Sequence, residues 1–411
     1  MFGEEESISR SLYNFQAALK ENGETLQNFI WQNYVAKWQG DILYHASAIR
    51  TTFVNAMHNF LTDYGLFNLE RVSMSPVTDP LAHDVEHAPA ISYKGHAYKL
   101  THSMIYSKFL ACLNPKTKGV FVDSPNMRLE IESPTGLQRG KYLADFSQMD
   151  IELRRNRGIR LDEYLNDTDR VTQVLKEDME KALTFFEQLI IHAISAVADK
   201  NEQDLKALGV ALEVPKSPFP RFRKDQAVAK YGASDFESKL GQQVDSQFFW
   251  VTGLMRENYD LIYPYLKPDG FKTTIADFTS EMIYNYDICA QSIQRKTGKY
   301  GDTYEILSGA LREWLYEPII ERLIDNKVLP VRPEMSDGEL ENINELGGYG
   351  PFLMAVAQKD ENGDSVFPDT YGGGIGIERT LFALTKGEHV KKVDDVTFFG
   401  KNPDSHPIFL Y

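Results

Sequence analysis

The stretch from Tyr371 to Arg379, Tyr-Gly-Gly-Gly-Ile-Gly-Ile-Glu-Arg, constrains the fold more than any other part of this chain. Glycine lets backbone approach a neighbour that a Cβ would exclude. Here the glycines enter an amphipathic stretch, Ile375 to Leu384, with Arg379 inside its first turns. One reading is a ligand site, because an arginine fixed beside open backbone can pair with phosphate through its planar fork. The other is a strand-to-helix junction that needs glycine only for close packing. Taken alone, the stretch does not choose between them.

The rest of the chain narrows the choice. Its 411 residues, 42% hydrophobic, can fill a large core and suggest one main domain with additions. Its first residues, MFGEEESISR, have neither a basic leader nor an apolar h-region, and we expect no membrane-spanning segment. Cys112 and Cys289 sit in apolar settings and do not form a disulfide framework, which suits the cytoplasm. A net charge of −15 opposes non-specific attraction to nucleic acid or to an anionic membrane.

Periodicity predicts one or two helices over 7–38 and a longer one over 42–64, stopped by Gly65. A strand-like run covers 66–74, and strands at 90–93 and 97–100 flank Lys94-Gly95 as a hairpin. A short helix follows within 101–113, then a strand at 119–122. In DFSQMDIELR (145–154), Phe146, Gln148, Asp150 and Glu152 alternate with Met149, Ile151 and Leu153. The polar face is either exposed or lines a polar pocket. A long helix is expected over 167–200, polar helix or loop over 201–245, and strands at 248–252 and around 276–287. A loop is expected over 291–304, and Glu305 to Ile324 is expected to run into a helix. Helices framing an antiparallel set of strands point to an α+β fold.

Individually the polar residues are bland. Arg128 and Glu130, two apart, point to one side of a strand end and are either a ligand clamp or a surface ion pair. Glu305 and Arg312, about two helical turns apart, fit a solvated face equally well. No zinc-type His/Cys spacing, Gly-x-Ser-x-Gly elbow or Walker stretch occurs. Carboxylates without soft ligands favour Mg²⁺ over a transition metal.

The order of the pieces is more telling. NMRLE (126–130) resembles motif 2, and YGGGIGIER (371–379) motif 3, of class II aminoacyl-tRNA synthetases. DFSQMDIELR is similar to the strand after the motif 2 loop of aspartyl enzymes, and PFPRFRKDQA (218–227) and FFWVTG (248–253) resemble asparaginyl segments. Glu305…Ser308-Gly309…Arg312 matches the family's Glu…Ser-Gly…Arg stretch. Thr101-His102-Ser103 with Lys108, the Gln148/Asp150 pair and GGGIG are also similar to ammonia-dependent asparagine synthetases. The resemblance spans roughly 42–411. It implies a class II antiparallel sheet flanked by helices, a helical insertion at about 155–245 and an N-terminal helical extension over 1–41.

The resemblance also implies roles. Arg128 would bind the ATP α-phosphate, Glu130 the adenine amine and Arg379 the γ-phosphate, while Gly372, Gly373, Gly374 and Gly376 admit ribose and adenine. Glu305, with Asp287 or Asp302, would hold Mg²⁺. Lys108 and Arg312 would fix a substrate carboxylate, with Ser308 beside them, and Gln148, Asp150, Asp79 and Ser103 would face the α-amino end.

Three departures qualify this. The subgroup's anticodon-binding β-barrel has no counterpart in residues 1–41, the loop between Asp287 and Glu305 is longer, and Ile105 and Lys401 replace a glutamine and the last basic position. The expectation is an ATP-dependent, AMP-forming ligase. It would activate aspartate or a close analogue and transfer it to ammonia or an amine. A tRNA, protein or carrier acceptor is the alternative, with tRNA less favoured. Pairing through the 42–64 helix would give a homodimer.

Overall fold

Strand β3 (Asp145–Arg154) shows how the alternation in the sequence builds the molecule: Met149, Ile151 and Leu153 are fully buried on one face. The computed structural model describes residues 16–79, 88, 90–129, 142–254, 259–265, 278–294, 299–336 and 338–400. Among these residues the main sheet has eight strands. In chain order they are β1 (Phe67–Asn68), β2 (Gly119–Met127), β3, β4 (Arg221–Arg223), β5 (Phe248–Thr252), β6 (Asn285–Gln294), β7 (Lys299–Leu311) and β8 (Thr370–Gly376). Their spatial order is β1-β2-β3-β8-β7-β6-β5-β4. The inner pairings are antiparallel, and only β1/β2 and β4/β5, at the edges, are parallel. The α+β expectation holds, with a sheet that becomes mixed at its margins.

Five helices bear on the site: α1 (Asp41–Asp63), α2 (Ile105–Ala111), α3 (Thr168–Lys200), α4 (Tyr316–Asp325) and α5 (Ile377–Thr385). The apolar face of the sheet, with Phe121, Ile151, Leu307, Ile375 and Ile288, shares one core with Phe53 and Met57 of α1 and Leu183, Phe186 and Ile190 of α3. Burying side chains of this size contributes roughly 1.5–3 kcal/mol each. Phe186 meets the Tyr286 ring at 5.7 Å between centroids and would be 3.3 Å from a Cβ placed on Gly373. By length and composition α3 could cross a membrane, yet its apolar residues lie in this core.

Several expectations shift in position. The hairpin is Ala90–Tyr93 with His96–Leu100, turned at Lys94 and Gly95, both at positive φ. The strand-like run over 66–74 is two short pieces, β1 and Met74–Ser75. The strand placed around 276–287 is β6, and the expected loop over 291–304 is largely the end of β6 and the start of β7. Glu305 to Leu311 is strand, not helix; α4 begins only at Tyr316. Leu307, Ala310 and Leu311 are good helix formers, but pairing on both sides overrides propensity. Gly309 permits that pairing, because a Cβ there would overlap the Gly372 carbonyl and the Tyr286 ring. The two-turn spacing assigned to Glu305 and Arg312 therefore does not apply.

Ahead of α1, helical turns from Leu26 to Trp38 lie against the C-terminal segment. The Trp38 indole Nε1 donates to the Phe398 carbonyl at 2.9 Å, and its ring packs on Phe399. Lys401 and Glu130 lie outside the described residues.

Candidate active site

The face of the sheet opposite α1 and α3 collects the polar positions. Register places Gln148 opposite Gly376, Asp150 opposite Gly374 and Glu152 opposite Gly372. Across β8, Gly374 faces Ser308 of β7, which faces Asp287 of β6. Opposed residues share a face of a sheet, so the three strand-borne groups expected from DFSQMDIELR line one surface with Ser308 and Asp287. It is not solvent: Asp150 is 3% exposed and Glu152 0%. Of the two readings of the alternation, the polar pocket is the one realised.

Buried carboxylates need partners, and the chain supplies them from two directions. Lys108, on α2 and 2% exposed, donates to Asp150 Oδ1 at 3.1 Å and lies 3.6 Å from Glu152 Oε2. Arg312, just past the end of β7, lies 3.4 Å from Glu152 Oε1. Its Nη1 donates to Asp260 Oδ1 at 3.0 Å. The Thr370 hydroxyl donates to Glu152 Oε1 at 2.7 Å, completing that carboxylate's tie to β8. Asp150 Oδ2 is buried without a hydrogen-bond partner. Lys108, Arg312, Asp150 and Ser308 thus meet at one end of the surface.

Asp79 joins them from the loop before the hairpin. Burial raises its carboxyl above the usual aspartate value, while the nearby Arg128 and Arg312 pull it down. Its carbonyl oxygen lies 3.2 Å from His102 Nδ1, and the His102 amide donates to Thr78 Oγ1 at 2.8 Å. Ser103 Oγ accepts the Ile105 amide at 3.2 Å, so this hydroxyl helps start α2.

The other end carries the two arginines expected to meet phosphate. Arg128 Nε and Nη2 both donate to the His102 carbonyl at 3.1 Å, and Nη2 lies 3.5 Å from Gln148 Oε1. Its guanidinium sits 5.2 Å from the Phe146 ring centroid. Gln148 also accepts from the Asn126 amide, itself bonded by Ser124. Arg379, in the first turn of α5, donates to the Glu305 carbonyl at 3.2 Å and lies 3.7 Å from its carboxylate. It also sits over the Tyr142 ring.

The glycines have a task within the fold itself. A Cβ on Gly372 would overlap the Glu152 carboxylate, and one on Gly374 would press on Asp150 and Gln148. A Cβ on Gly373 would meet the Ser308 carbonyl at 2.9 Å and Phe186, on the helical face, at 3.3 Å. These three make room for the chain's own atoms. Among the described residues a Cβ on Gly376 would meet nothing nearer than Arg379 Cβ, an ordinary contact at 3.8 Å.

Among the described residues no three His, Cys, Asp or Glu groups come together as a metal cage. Mg²⁺ is ordinarily held by one or two carboxylates plus substrate phosphates, so Glu305, with Asp287 on the same face, fits that donor set. Asp302 is engaged by Lys386 instead.

Sequence reasoning missed Asp260. It sits in an isolated bridge with Arg312, and its Oδ2 accepts from Asn285 Nδ2 at 2.8 Å. No spacing connects it to an arginine 52 positions away. Arg322 of α4 also donates to its carbonyl.

An antiparallel core ending in a glycine-bearing strand, with an arginine in the helix that follows and a second arginine after β2, defines the class II synthetase type of site. The chain belongs to that family: the model described as tRNA synthetases class II (D, K and N) matches residues 43–403. Relatives include an aspartate–tRNA(Asp) ligase of Pyrococcus furiosus, 29% identical over 53% of this chain and 43% of that protein. An aspartate–tRNA(Asp/Asn) ligase of Methanopyrus kandleri is 20% identical over 84% of this chain and 65% of that one. The chain therefore spans less than two thirds of these relatives. In fold it is similar to asparaginyl-tRNA synthetase from Pyrococcus horikoshii complexed with asparaginyl-adenylate, with a TM-score of 0.60 at 15% identity, covering 89% of this chain and 70% of that one.

Proposed function

We propose that this protein is an ATP-dependent, AMP-forming ligase that activates aspartate or a close analogue as an acyl-adenylate and passes it to an acceptor. The observation that carries the reading is the division of one sheet face into an arginine-bearing end and a buried polar end, within a chain of this family. Arg128 would meet the α-phosphate and stabilise the charge that develops as pyrophosphate leaves. Arg379 would hold the terminal phosphate through its fork. Phe146, under Arg128, offers a ring for adenine stacking. Asp79, Asp150 and Gln148 would orient the α-ammonium group, and Lys108 and Arg312 the far end of the amino acid. Mg²⁺ bound through Glu305 and Asp287 would neutralise phosphate charge. We further propose pairing through α1, where Ile42 and Tyr44 are exposed.

For the acceptor, the relatives' activity supports RNA acylation over amide formation with ammonia. The net charge of −15 is what favours the small nucleophile as a second reading. Amino-acid-dependent exchange of pyrophosphate into ATP, run across the twenty amino acids and aspartate analogues, tests activation; exchange with none of them sinks it. Incubating the activated amino acid with bulk tRNA and, separately, with ammonium then separates the acceptors. Acid-precipitable label in RNA is the expected result, and amide product without it would establish the second reading.

A further inference from the structure

Lys108 and Arg312 are the cations that the family resemblance assigns to a substrate carboxylate, and Arg312 is already engaged. Its Nη1 donates to Asp260 Oδ1 at 3.0 Å while its Nε lies 3.4 Å from Glu152. All three groups are buried: Arg312 7%, Asp260 6% and Glu152 0% exposed. Lys108 faces Asp150 and Glu152 in the same way. Two cations thus meet three carboxylates at this end, before Asp79 is counted. Arg322 adds a third cation behind Asp260, donating to the Asp260 carbonyl and drawn to Asp260 more than to the buried Glu313, so that cations and carboxylates come out even. Asp79 is left for the substrate's α-ammonium group. An incoming ω-carboxylate would therefore find no surplus of positive charge and would lose its hydration on entry.

We propose that Asp260 sets the acyl-donor specificity of this site: by neutralising Arg312 it turns the pocket against an ω-carboxylate and towards an uncharged ω-amide. This rests on the activation reading. An amide suits the lining because its NH₂ donates where Glu152 Oε2 is buried without a hydrogen-bond partner, and its carbonyl accepts from Lys108 or Arg312. Asp260 is itself fixed, by Asn285 Nδ2 at 2.8 Å and by the bridge to Arg312, so its charge cannot swing aside.

The test compares pyrophosphate exchange with asparagine and with aspartate in the full chain, for the wild type and for Asp260→Asn. The wild type should prefer asparagine. Asp260→Asn should move the ratio of the two kcat/KM values towards aspartate by about 10- to 100-fold, the effect of one unit charge some 6 Å away at intermediate dielectric. A wild type that prefers aspartate overturns the proposal while leaving activation intact. An unchanged ratio in a folded Asp260→Asn protein does the same. Exchange with neither amino acid overturns the activation reading as well. If the variant does not fold, titrating both amino acids into the ATP-loaded wild type by calorimetry decides: tighter aspartate binding refutes the proposal, tighter asparagine binding upholds it.

Discussion

The two ends of the candidate site hold their cations differently. Lys108 and Arg312 each contact two carboxylates and are almost wholly buried. Arg128 and Arg379 instead donate to main-chain carbonyls, of His102 and Glu305, and Arg379 keeps a quarter of its side chain exposed. A carbonyl orients a guanidinium without cancelling its charge; a buried carboxylate does both. Arg379 also faces the Glu305 carboxylate at 3.7 Å, but that pair is partly exposed and screened by water, whereas the other end is a closed, buried network. Both rest on the same strands, so the difference lies in side chains.

Breaking the closed network should cost the most. Lys108→Met leaves Asp150 and Glu152 facing each other's charge in a buried site, and removing one partner of such a pair costs about 3–5 kcal/mol. Urea unfolding should show that loss, whereas Arg379→Ala should change stability by about 1 kcal/mol or less. Equal stability losses in the two variants would mean the ends are not built differently. Activity should reverse the contrast. On the proposed phosphate roles, Arg379→Ala and Arg128→Ala remove charge from where the reaction would develop it, so exchange rates should fall by about 10²–10³-fold with the fold intact. A loss of only two- or threefold would move phosphate recognition elsewhere.

This contrast was only partly legible in the sequence. The alternation in 145–154 gives β3 with its register, because a period of two has one solution when one face is apolar. The glycine stretch marks a true strand-to-helix junction at Gly376. What the glycines face was hidden, since the occupants of their missing Cβ positions, Glu152 and Phe186, come from other elements. Glu305 to Leu311 reads as helix because local propensity there disagrees with sheet pairing, and pairing is not local. Asp260 was invisible for the same reason: it acquires meaning only when the chain brings it beside Arg312.

The smallest expected effect sharpens the contrast at its margin. Glu313, buried behind the closed end, has its Oε1 bonded by the Trp314 and Leu315 amides at 3.0 and 3.2 Å, while Oε2 makes no hydrogen bond. Burial pushes its carboxyl up to about 7 from the ordinary 4.5, against the pull of those amides and of Arg322 and Arg155. Between these two values the folded chain binds a proton that the unfolded chain has released. Stability should therefore fall as pH rises through that window, by at most about 3 kcal/mol at 1.36 kcal/mol per unit. Glu313→Gln keeps the acceptor and removes the titration, so its unfolding free energy relative to wild type should rise from pH 5 to pH 8. A difference that stays flat would mean that Glu313 is ionised throughout, held by Arg322 as firmly as Asp150 is by Lys108, and that the closed network extends one layer further back.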